Sequence, residues 1–356
     1  MEKIRFGILG SGWRAEYYIR IAKLIPDRFQ VTCAYLRDKE RAEKFSEKMG
    51  IRTTADLEEF LSEDQDFVVL SVKHGYAFGY LEKLLARGIP VLAETPPAET
   101  VEELERLWTL IQEKQARLQV AEQYFLQPFY AAWEKALPLL GEIENISLSA
   151  LHQYHGVSII RRFLGVGLEN CTLTGKRYSF PVTVTGGRGS MEFSGKVSDF
   201  SRDRLTFEFE SGKIAFFDFS GVQYHSFIRT RHLNVQGVRG EINDMEIRYL
   251  THENIPILES LRRIDLGVYD NDGWSHHQIR LGERILYENP FPRCRLNDDE
   301  IAIASCLVGM KEYLLSGKEF YPLCGAFQDT YLSILMEKAL ATPRKEIQSE
   351  DQCWKK

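Results

Sequence analysis

A glycine-rich turn near the start of the chain has the residue types and spacing of a phosphate-binding loop. Gly10, Gly12 and Ala15 occupy the three positions of a G-x-G-x-x-G/A pattern. Glycine at the first position permits a tight turn, and at the second it leaves room for a pyrophosphate to approach the backbone. An apolar run at 4–9 precedes the turn and a helical pattern follows it, so backbone amides and the helix dipole would face the phosphates. The segment predicts dinucleotide binding; the alternative is a glycine turn without a ligand.

His155 is the side chain best suited to moving a proton, because imidazole titrates near neutral pH. It stands in Tyr154-His155-Gly156, just before a helical pattern at 158–164. A histidine beside a hydride acceptor can take or give the proton of a substrate hydroxyl. The alternative is a histidine hydrogen-bonded within a turn. His152 and Tyr154 are second candidates for proton transfer.

Polar residues also follow two apolar runs, 67–72 and 91–93, that are typical of buried strands. Lys73 and His74 follow the first run, and Thr95 comes shortly after the second. Doubly wound sheets bind ligands at the carboxyl ends of such strands. Lys73 could supply a positive charge there, or it could be a solvated loop residue. The Thr95 hydroxyl could bond a ligand, or it could serve the proline turn that follows.

The first 121 residues alternate strand and helix patterns, which predicts a parallel, doubly wound sheet. We therefore expect a Rossmann dinucleotide-binding domain at 1–121. Glu122, Gln123 and Tyr124 follow its last strand, and Glu122 is either a candidate site carboxylate or half of a hinge salt bridge. The predicted strands are 4–9, 29–35, 67–72, 91–93 and 118–121, and the predicted helices are 39–49, 56–62, 76–87 and 101–114.

The pattern changes after this point, because period-two segments replace the βα repeats. We expect an α+β domain at 122–356 with a large open, mostly antiparallel sheet, so that the whole chain is of the α/β class. Ser211-Gly212 predicts a two-residue hairpin loop. The predicted helices are 128–140, 158–164, 298–315 and 323–341, and the predicted strands are 143–150, 178–185, 205–209, 214–219, 232–236, 245–250 and 277–281.

Composition excludes several classes of partner. The net charge of −6 would attract neither nucleic acid nor an anionic membrane. The six cysteines are scattered without a C-x-x-C pair, which fits a reducing cytoplasm. The adjacent His276 and His277 would point to opposite faces of a strand, so we expect no metal site there. We also expect no signal peptide and no bilayer-spanning segment.

The order of these motifs resembles the Gfo/Idh/MocA family of two-domain nicotinamide-dependent oxidoreductases, which act mostly on sugars and polyols. The resemblance rests on the glycine loop, on Gly88-x-x-Val-Leu-Ala-Glu94-Thr95-Pro96, and on Asp298-Asp299-Glu300-Ile301-Ala302 near the start of a late helix. It implies that the nicotinamide lies at the mouth of the Rossmann domain, with a small carbohydrate-like substrate between it and the open sheet. It also implies a homo-oligomer, a dimer or tetramer, formed through the second domain.

Three functional positions depart from the family pattern. The family's Glu-Lys-Pro reads Glu94-Thr95-Pro96, so the lysine that contacts cofactor and substrate is missing. The family's Asp-x-x-x-His keeps His155 but has Leu151 at the acidic position. The Thr-Pro-x-x-x-His loop reads Ser-Val-Lys-His-Gly-Tyr at 71–76. The resemblance therefore implies the fold and the cofactor pocket more completely than it implies sugar-dehydrogenase chemistry.

The motifs and the resemblance together give the candidate site residues. Leu36 stands where an acidic residue would hold the ribose 2′-hydroxyl of NAD, and Arg37 could pair with a 2′-phosphate or lie in a surface loop. We expect NADP or NAD, with NADP bound at least as well. The candidate catalytic residues are His155, Thr95, Lys73 and Tyr124, and the candidate cofactor-binding residues are Gly10, Ser11, Gly12, Trp13, Arg14, Arg37, Ser71, Val72, His74, Tyr76, Glu94 and Gln123.

Three functions remain open at this point. The first is NAD(P)-dependent oxidation or reduction of a sugar- or polyol-like alcohol or ketone, with His155 as proton relay. The second is a cofactor-binding homologue without dehydrogenase turnover, acting as a sensor or accessory binding protein. The third is an enzyme that uses bound cofactor for transient oxidation. Thr95 and Leu151 favour the second and third functions, whereas the intact glycine loop, Glu94 and His155 favour the first.

Overall fold

Short runs of buried apolar residues alternate with helices in the first third of the chain. The computed structural model describes residues 2–73, 75–267 and 273–355. The strands of this part are β1 (Ile4–Leu9), β2 (Phe29–Tyr35), β3 (Thr53–Thr54), β4 (Phe67–Leu70), β5 (Val91–Ala93) and β6 (Leu118–Val120). The helices are α1 (Trp13–Leu24), α2 (Lys39–Met49), α3 (Leu57–Leu61), α4 (Ala77–Ala86) and α5 (Val101–Lys114).

These six strands form one parallel sheet in the order β3-β2-β1-β4-β5-β6. The order reverses between β1 and β4, and ligand crevices in doubly wound sheets lie at the carboxyl ends of such a pair. The predicted doubly wound sheet is therefore confirmed. The topology places the glycine turn after β1 beside the loop after β4.

The described residues after β6 form a second, larger set of strands and four α-helices. The helices are α6 (Pro128–Ala136), α7 (Gln153–Leu164), α8 (Asp298–Ser316) and α9 (Leu323–Ala341). The strands are β7 (Ile143–Ser149), β8 (Cys171–Thr183), β9 (Gly186–Gly187), β10 (Ser190–Met191), β11 (Val197–Phe209), β12 (Ile214–Phe219), β13 (His232–Gly237), β14 (Gly240–Asn243), β15 (Glu246–Leu250), β16 (Pro256–Leu266), β17 (Ser275–Leu281), β18 (Arg284–Glu288) and β19 (Ile347–Gln348).

Eleven of these strands form one sheet in the order β18-β17-β16-β15-β14-β13-β7-β12-β11-β8-β19. Within the described residues, β7 pairs in parallel with β12 and the other pairings of this sheet are antiparallel. The large, mostly antiparallel sheet is therefore confirmed. The strands of the two sheets come from residues 4–120 and 143–348, and the domain boundary at 121/122 stays a prediction.

One face of the large sheet packs against α7 and α9. Gly156 permits the close approach of α7, because a Cβ at this position would lie 2.6 Å from a ring carbon of Phe217 on β12. This contact fixes the distance of the first turn of α7 from the sheet. His155 precedes Gly156, so its position is set by the same packing.

Three local predictions were wrong. The helix predicted at 158–164 begins at Gln153, so His155 lies in its first turn and not in a preceding loop. Four residues, 210–213, separate β11 from β12, and the bond from Phe209 N to Lys213 O closes a three-residue turn in which Gly212 takes the left-handed conformation. The strands that were not predicted are β3, β9, β10, β14, β16, β18 and β19. In β16, alternating exposed residues dilute the apolar pattern.

Candidate functional site

A cleft of about 1580 Å³ opens at the carboxyl ends of the parallel strands, against loops of the second part of the chain. It brings together most of the residues singled out from the sequence. His74 lies outside the described residues, and Gln123 is buried behind the cleft wall. The candidate residues that line the cleft are Gly10, Ser11, Gly12, Trp13, Arg14, Arg37, Ser71, Val72, Lys73, Tyr76, Glu94, Thr95, Tyr124 and His155.

The two glycines of the turn after β1 have different roles in this geometry. Gly10 has a φ of +127°, and a Cβ there would lie 2.0 Å from the carbonyl oxygen of Ser71. The fold itself therefore requires glycine at this position. A Cβ at Gly12 would meet nothing within 4 Å. Gly12 is thus not required by packing, and it leaves the start of α1 open to a ligand.

Arg14 is held at the base of the cleft by groups from three other elements. Its Nη1 donates to Asp299 Oδ2 at 3.0 Å, and its Nε lies 3.5 Å from Glu94 Oε2. The Gln123 amide oxygen accepts from Arg14 Nη2 at 2.7 Å. Tyr18 OH donates to Glu94 Oε1 at 2.6 Å. Gln123 therefore positions Arg14 from behind, rather than lining the cleft as its predicted cofactor role would need.

His155 is joined to a carboxylate that comes from the end of β6. Its Nδ1 lies 2.5 Å from Glu122 Oε2, and its Nε2 lies 3.4 Å from Thr95 Oγ1. The Glu122 side chain is fully buried, and its second oxygen accepts from Tyr124 N at 2.9 Å. The Tyr124 ring packs on the imidazole with 4.5 Å between centroids. The ring of His155 is thus fixed on two sides, and its outer nitrogen is directed toward Thr95.

Burial governs the charge of the His155–Glu122 pair. It lowers the pKa of His155 to about 3, with the Arg14 guanidinium acting in the same direction, and raises the pKa of Glu122 to about 8. At neutral pH both shifts favour an uncharged imidazole beside a protonated carboxyl. Nδ1 then accepts a hydrogen bond from the carboxyl O–H, and Nε2 carries the single ring proton. Once Glu122 ionises, Nδ1–H donates to the carboxylate and Nε2 becomes an acceptor.

The pairing of Glu122 with His155 was not predicted, although Glu122 was noted as a candidate carboxylate. Leu151 is buried in the apolar core, where an aspartate would need a partner. The two paired residues are 33 positions apart, so no local spacing signals their contact. The sequence signal that was available was a lone carboxylate directly after a buried strand.

A second wall of the cleft was largely missed from the sequence, which singled out only His152 from it. It contains His152, Arg188, Tyr224, His225 and Arg231. Tyr224 OH lies 2.7 Å from His152 Nδ1, and the His152 ring lies 4.9 Å from the ring of His155. These residues come from loops that lack a recognisable motif, so only the folded chain brings them to the relay histidine.

The rim of the cleft carries the candidates that flank β2 and β4. Lys73 is exposed at the rim. The Arg37 guanidinium lies 6.0 Å from the centroid of the Tyr76 ring, and both side chains are exposed. Leu36 is buried. Asp38 caps α2 by accepting from Arg41 N at 2.8 Å.

The described residues contain no group of three or more His, Cys, Asp or Glu side chains arranged to hold a metal ion. His276 is buried beside Asp265, with 3.1 Å between Nδ1 and Oδ1, whereas His277 is partly exposed. Among the helices of the described chain, none has the length and apolarity needed to cross a membrane.

A protein-family model matches the part of the chain that contains the parallel sheet and the glycine turn. Residues 4–122 match the model of the Gfo/Idh/MocA family, described as an oxidoreductase family with an NAD-binding Rossmann fold. A comparison with curated proteins gave no match.

Solved structures with a similar fold cover nearly the whole chain. A putative myo-inositol dehydrogenase from Sinorhizobium meliloti 1021 is 16% identical with a TM-score of 0.66, over 97% of this chain and 99% of that one. Levoglucosan dehydrogenase in complex with NADH is 12% identical with a TM-score of 0.69, over 99% and 100%. Biliverdin reductase from Synechocystis sp. PCC 6803, in complex with biliverdin and NADP+, is 15% identical with a TM-score of 0.62, over 95% and 99%. At these identities the similarity establishes the fold alone.

Proposed function

We propose that this chain, whose residues 4–122 match the model of the Gfo/Idh/MocA family of oxidoreductases with an NAD-binding Rossmann fold, is an NAD(P)-dependent oxidoreductase of a sugar- or polyol-like alcohol or ketone. His155 is its proton relay and Glu122 positions that histidine. The observation that carries the proposal is the His155–Glu122 pair in the same cleft as the open glycine turn.

The residues of the cleft fit a dinucleotide. Gly12 leaves space at the start of α1, where backbone amides and the helix dipole favour phosphate. The cleft volume exceeds the ~300–1,000 Å³ of most small-molecule sites, so a cofactor and a substrate both have room. Arg37 and Tyr76 stand at the end of the cleft beside β2, where the adenosine ribose would lie. The bound nicotinamide would supply the hydride acceptor or donor.

The chain's own part in the reaction is to hold the substrate hydroxyl and move its proton. During alcohol oxidation His155 Nε2 accepts the hydroxyl proton, and during ketone reduction it returns one to the oxygen. Thr95, 3.4 Å from this nitrogen, can donate to the same oxygen. Arg14 lies at the base of the cleft, where Asp299 and Glu94 balance its charge.

The solved structures support a polyol substrate only in part. Two of them are named as dehydrogenases of an inositol and of levoglucosan, which carry secondary alcohols. The third is named as a reductase of biliverdin, so one fold serves different substrates. The polyol class rests on the polar second wall and on the imidazole placed for a hydroxyl proton. The competing function, cofactor binding without turnover, is favoured by threonine at position 95.

The test is nicotinamide absorbance with NADP+ or NAD+ and a panel of inositols, sugars and their keto forms. We expect turnover by the parent and loss of most of it in His155→Gln, an amide that can still bond Glu122. Cofactor affinity should not change, since His155 acts on the substrate. His252→Gln is the matched control, because His252 is exposed and lies outside the cleft.

Two results would decide against the proposal. Turnover that survives His155→Gln would remove the relay role. Tight cofactor binding with no turnover on any member of the panel would leave the non-catalytic binding protein as the better function.

A further inference from the structure

We propose that the substrate of this cleft carries an anionic group, a carboxylate or a phosphate, and that Arg231 binds it with Arg188 beside it. The inference rests on the proposed function, in that it takes this cleft to be the substrate site. It concerns the second wall of the cleft, which faces the relay histidine and comes from the loops around β9, β10 and β13.

Apart from Arg37, which lies between β2 and α2, and Arg41, in the first turn of α2, the arginines that line the cleft fall into two groups. Arg14 and Arg263 are neutralised: Arg14 by Asp299 and Glu94, and Arg263 by Asp298, whose Oδ2 lies 2.7 Å from its Nη1. In the described parts of the chain, no carboxylate lies within 4 Å of Arg188 or Arg231.

The contacts made by these two guanidinium groups are with aromatic faces. Arg231 lies 4.9 Å from the ring centroid of Tyr224, and Arg188 lies 3.5 Å from that of Trp13. An aromatic face leaves the N–H donors at the edge of a guanidinium available to an anion.

A short series of side-chain contacts connects Arg231 to His155. Tyr224, which Arg231 covers, contacts His152, and the ring of His152 contacts that of His155. A substrate oxygen at His155 Nε2 would therefore leave the rest of a small molecule pointing along this wall toward Arg231. The placement suits an anionic group a few bonds away from the reacting carbon.

The two arginines act on the same region. Burial, together with the positive charges of Arg188 and Arg231, lowers the pKa of His225. The shift favours the uncharged imidazole, so the positive charge of this wall comes from the two guanidinium groups. An anion bound here would offset that charge and form charge-assisted hydrogen bonds, which are about twice as strong as neutral ones.

Cofactor phosphates do not explain Arg231. Arg188 covers Trp13, which directly follows Gly12 of the glycine turn, whereas Arg231 covers Tyr224. Arg188 can therefore reach either the pyrophosphate or the substrate. Arg231 contacts Tyr224 on the substrate side, so it is the residue that distinguishes an anionic substrate from a neutral one.

The experiment is calorimetric titration of NADP+-loaded protein with three ligands that share one ring: D-glucose, D-glucuronate and D-glucose 6-phosphate. We expect at least one of the two anions to bind about tenfold or more tightly than glucose, and the preferred anion identifies carboxylate or phosphate. Arg231→Gln should bring that ratio close to one. Arg229→Gln is the control, because Arg229 is exposed on the same loop and lies outside the cleft.

Either of two results overturns the inference: anions that bind no better than glucose, or a preference that survives Arg231→Gln. No turnover is needed, so the inference can fail while hydride transfer to neutral polyols stands. Conversely, an anion preference lost in Arg231→Gln, in a protein that never transfers hydride, would support the anion site and reject the oxidoreductase.

Discussion

Glu122 gives His155 a carboxylate partner from a different element than the family motif uses. The motif would place an aspartate at 151, one helical turn before the histidine, and that position holds a buried leucine. In the fold, the end of β6 lies beside the first turn of α7, so the carboxylate of Glu122 reaches Nδ1 of His155. Orientation of a histidine depends on where the partner oxygen lies and not on which strand or helix carries it.

The pair predicts opposite pH profiles for the two directions of the reaction. Below about pH 8 Glu122 keeps its carboxyl proton and His155 Nε2 is a hydrogen-bond donor, which suits ketone reduction. Above this pH Glu122 is ionised and Nε2 is an acceptor, which suits alcohol oxidation. We expect kcat/KM for oxidation to rise, and for reduction to fall, with a shared midpoint near pH 8 that belongs to the pair. Steady-state rates in both directions measure this midpoint.

Glu122→Gln removes the group that titrates near pH 8 while keeping the size of the side chain. We expect the midpoint near pH 8 to vanish from both profiles in this variant. Glu134→Gln, which alters a carboxylate outside the cleft, is the control. An unchanged midpoint in Glu122→Gln would show that the titration belongs to another group.

The raised pKa of Glu122 also affects the stability of the folded protein. In the unfolded chain Glu122 loses its proton near its ordinary pKa, whereas the folded protein keeps it until about pH 8. At this residue the unfolded state therefore binds fewer protons than the folded state. The lowered pKa of His155 has the opposite effect below pH 6.5, so the free energy of unfolding should fall between about pH 6.5 and pH 8, where only Glu122 of the pair differs. Denaturant titration of the parent and Glu122→Gln over this interval should show a smaller fall in the variant.

At the scale of elements, the fold requires Gly10 in the turn between β1 and α1, whereas Gly12 leaves space for a ligand. Gly12→Asp should fold, because a Cβ at 12 meets nothing within 4 Å, yet its carboxylate would oppose the phosphates. We expect an unchanged melting temperature and loss of most dinucleotide binding by calorimetry. Gly10→Ala is the contrasting variant, expected to lose stability because of the contact with Ser71. A Gly12→Asp protein that binds as tightly as the parent would make the turn purely structural.

The segment between β2 and α2 favours NADP. Leu36 is buried, and Asp38 is engaged as the cap of α2, so neither stands ready for a ribose hydroxyl. Arg37 is exposed in the cleft and can pair with a 2′-phosphate. We expect Arg37→Ala to raise the Kd of NADP+ by about tenfold or more and to leave that of NAD+ unchanged, since a bond to a charged group is worth ~1.5–3 kcal/mol. Lys39→Ala, outside this cleft, is the control, and equal losses for both cofactors would contradict the assignment.

Sequence patterns predicted the elements that local physics determines. The helix at 39–49 ends at a left-handed glycine, and the helix beginning at Asp298 has the capping box of Asn297 and Glu300. Contacts between distant segments were not predictable in the same way. The pairing of Glu122 with His155 and the position of Arg231 follow from how β6, α7 and the loop before β13 pack together, and no periodicity encodes that packing.

At the scale of the whole molecule, the large sheet has one face that the described residues of the chain leave uncovered. Its inner face packs on α7 and α9, while the opposite face carries apolar side chains with about a third to three fifths of their surface exposed. Strand registers place these side chains on one face. They are Tyr178, Phe180, Phe216, Leu258 and Ile264.

This face leads to the last prediction, that a second copy of the chain covers it. Extended apolar patches on monomers are uncommon and mark association sites. We expect light scattering to give a multiple of 41.2 kDa for the parent. Phe216→Asp, at the middle of the face, should shift the mass toward one chain, whereas Leu315→Asp, equally apolar but on α8, should not. The cleft is lined by residues of a single chain, so a monomeric Phe216→Asp should still bind dinucleotide. A parent that is already monomeric at working concentration would refute the prediction and leave the exposed face to another partner.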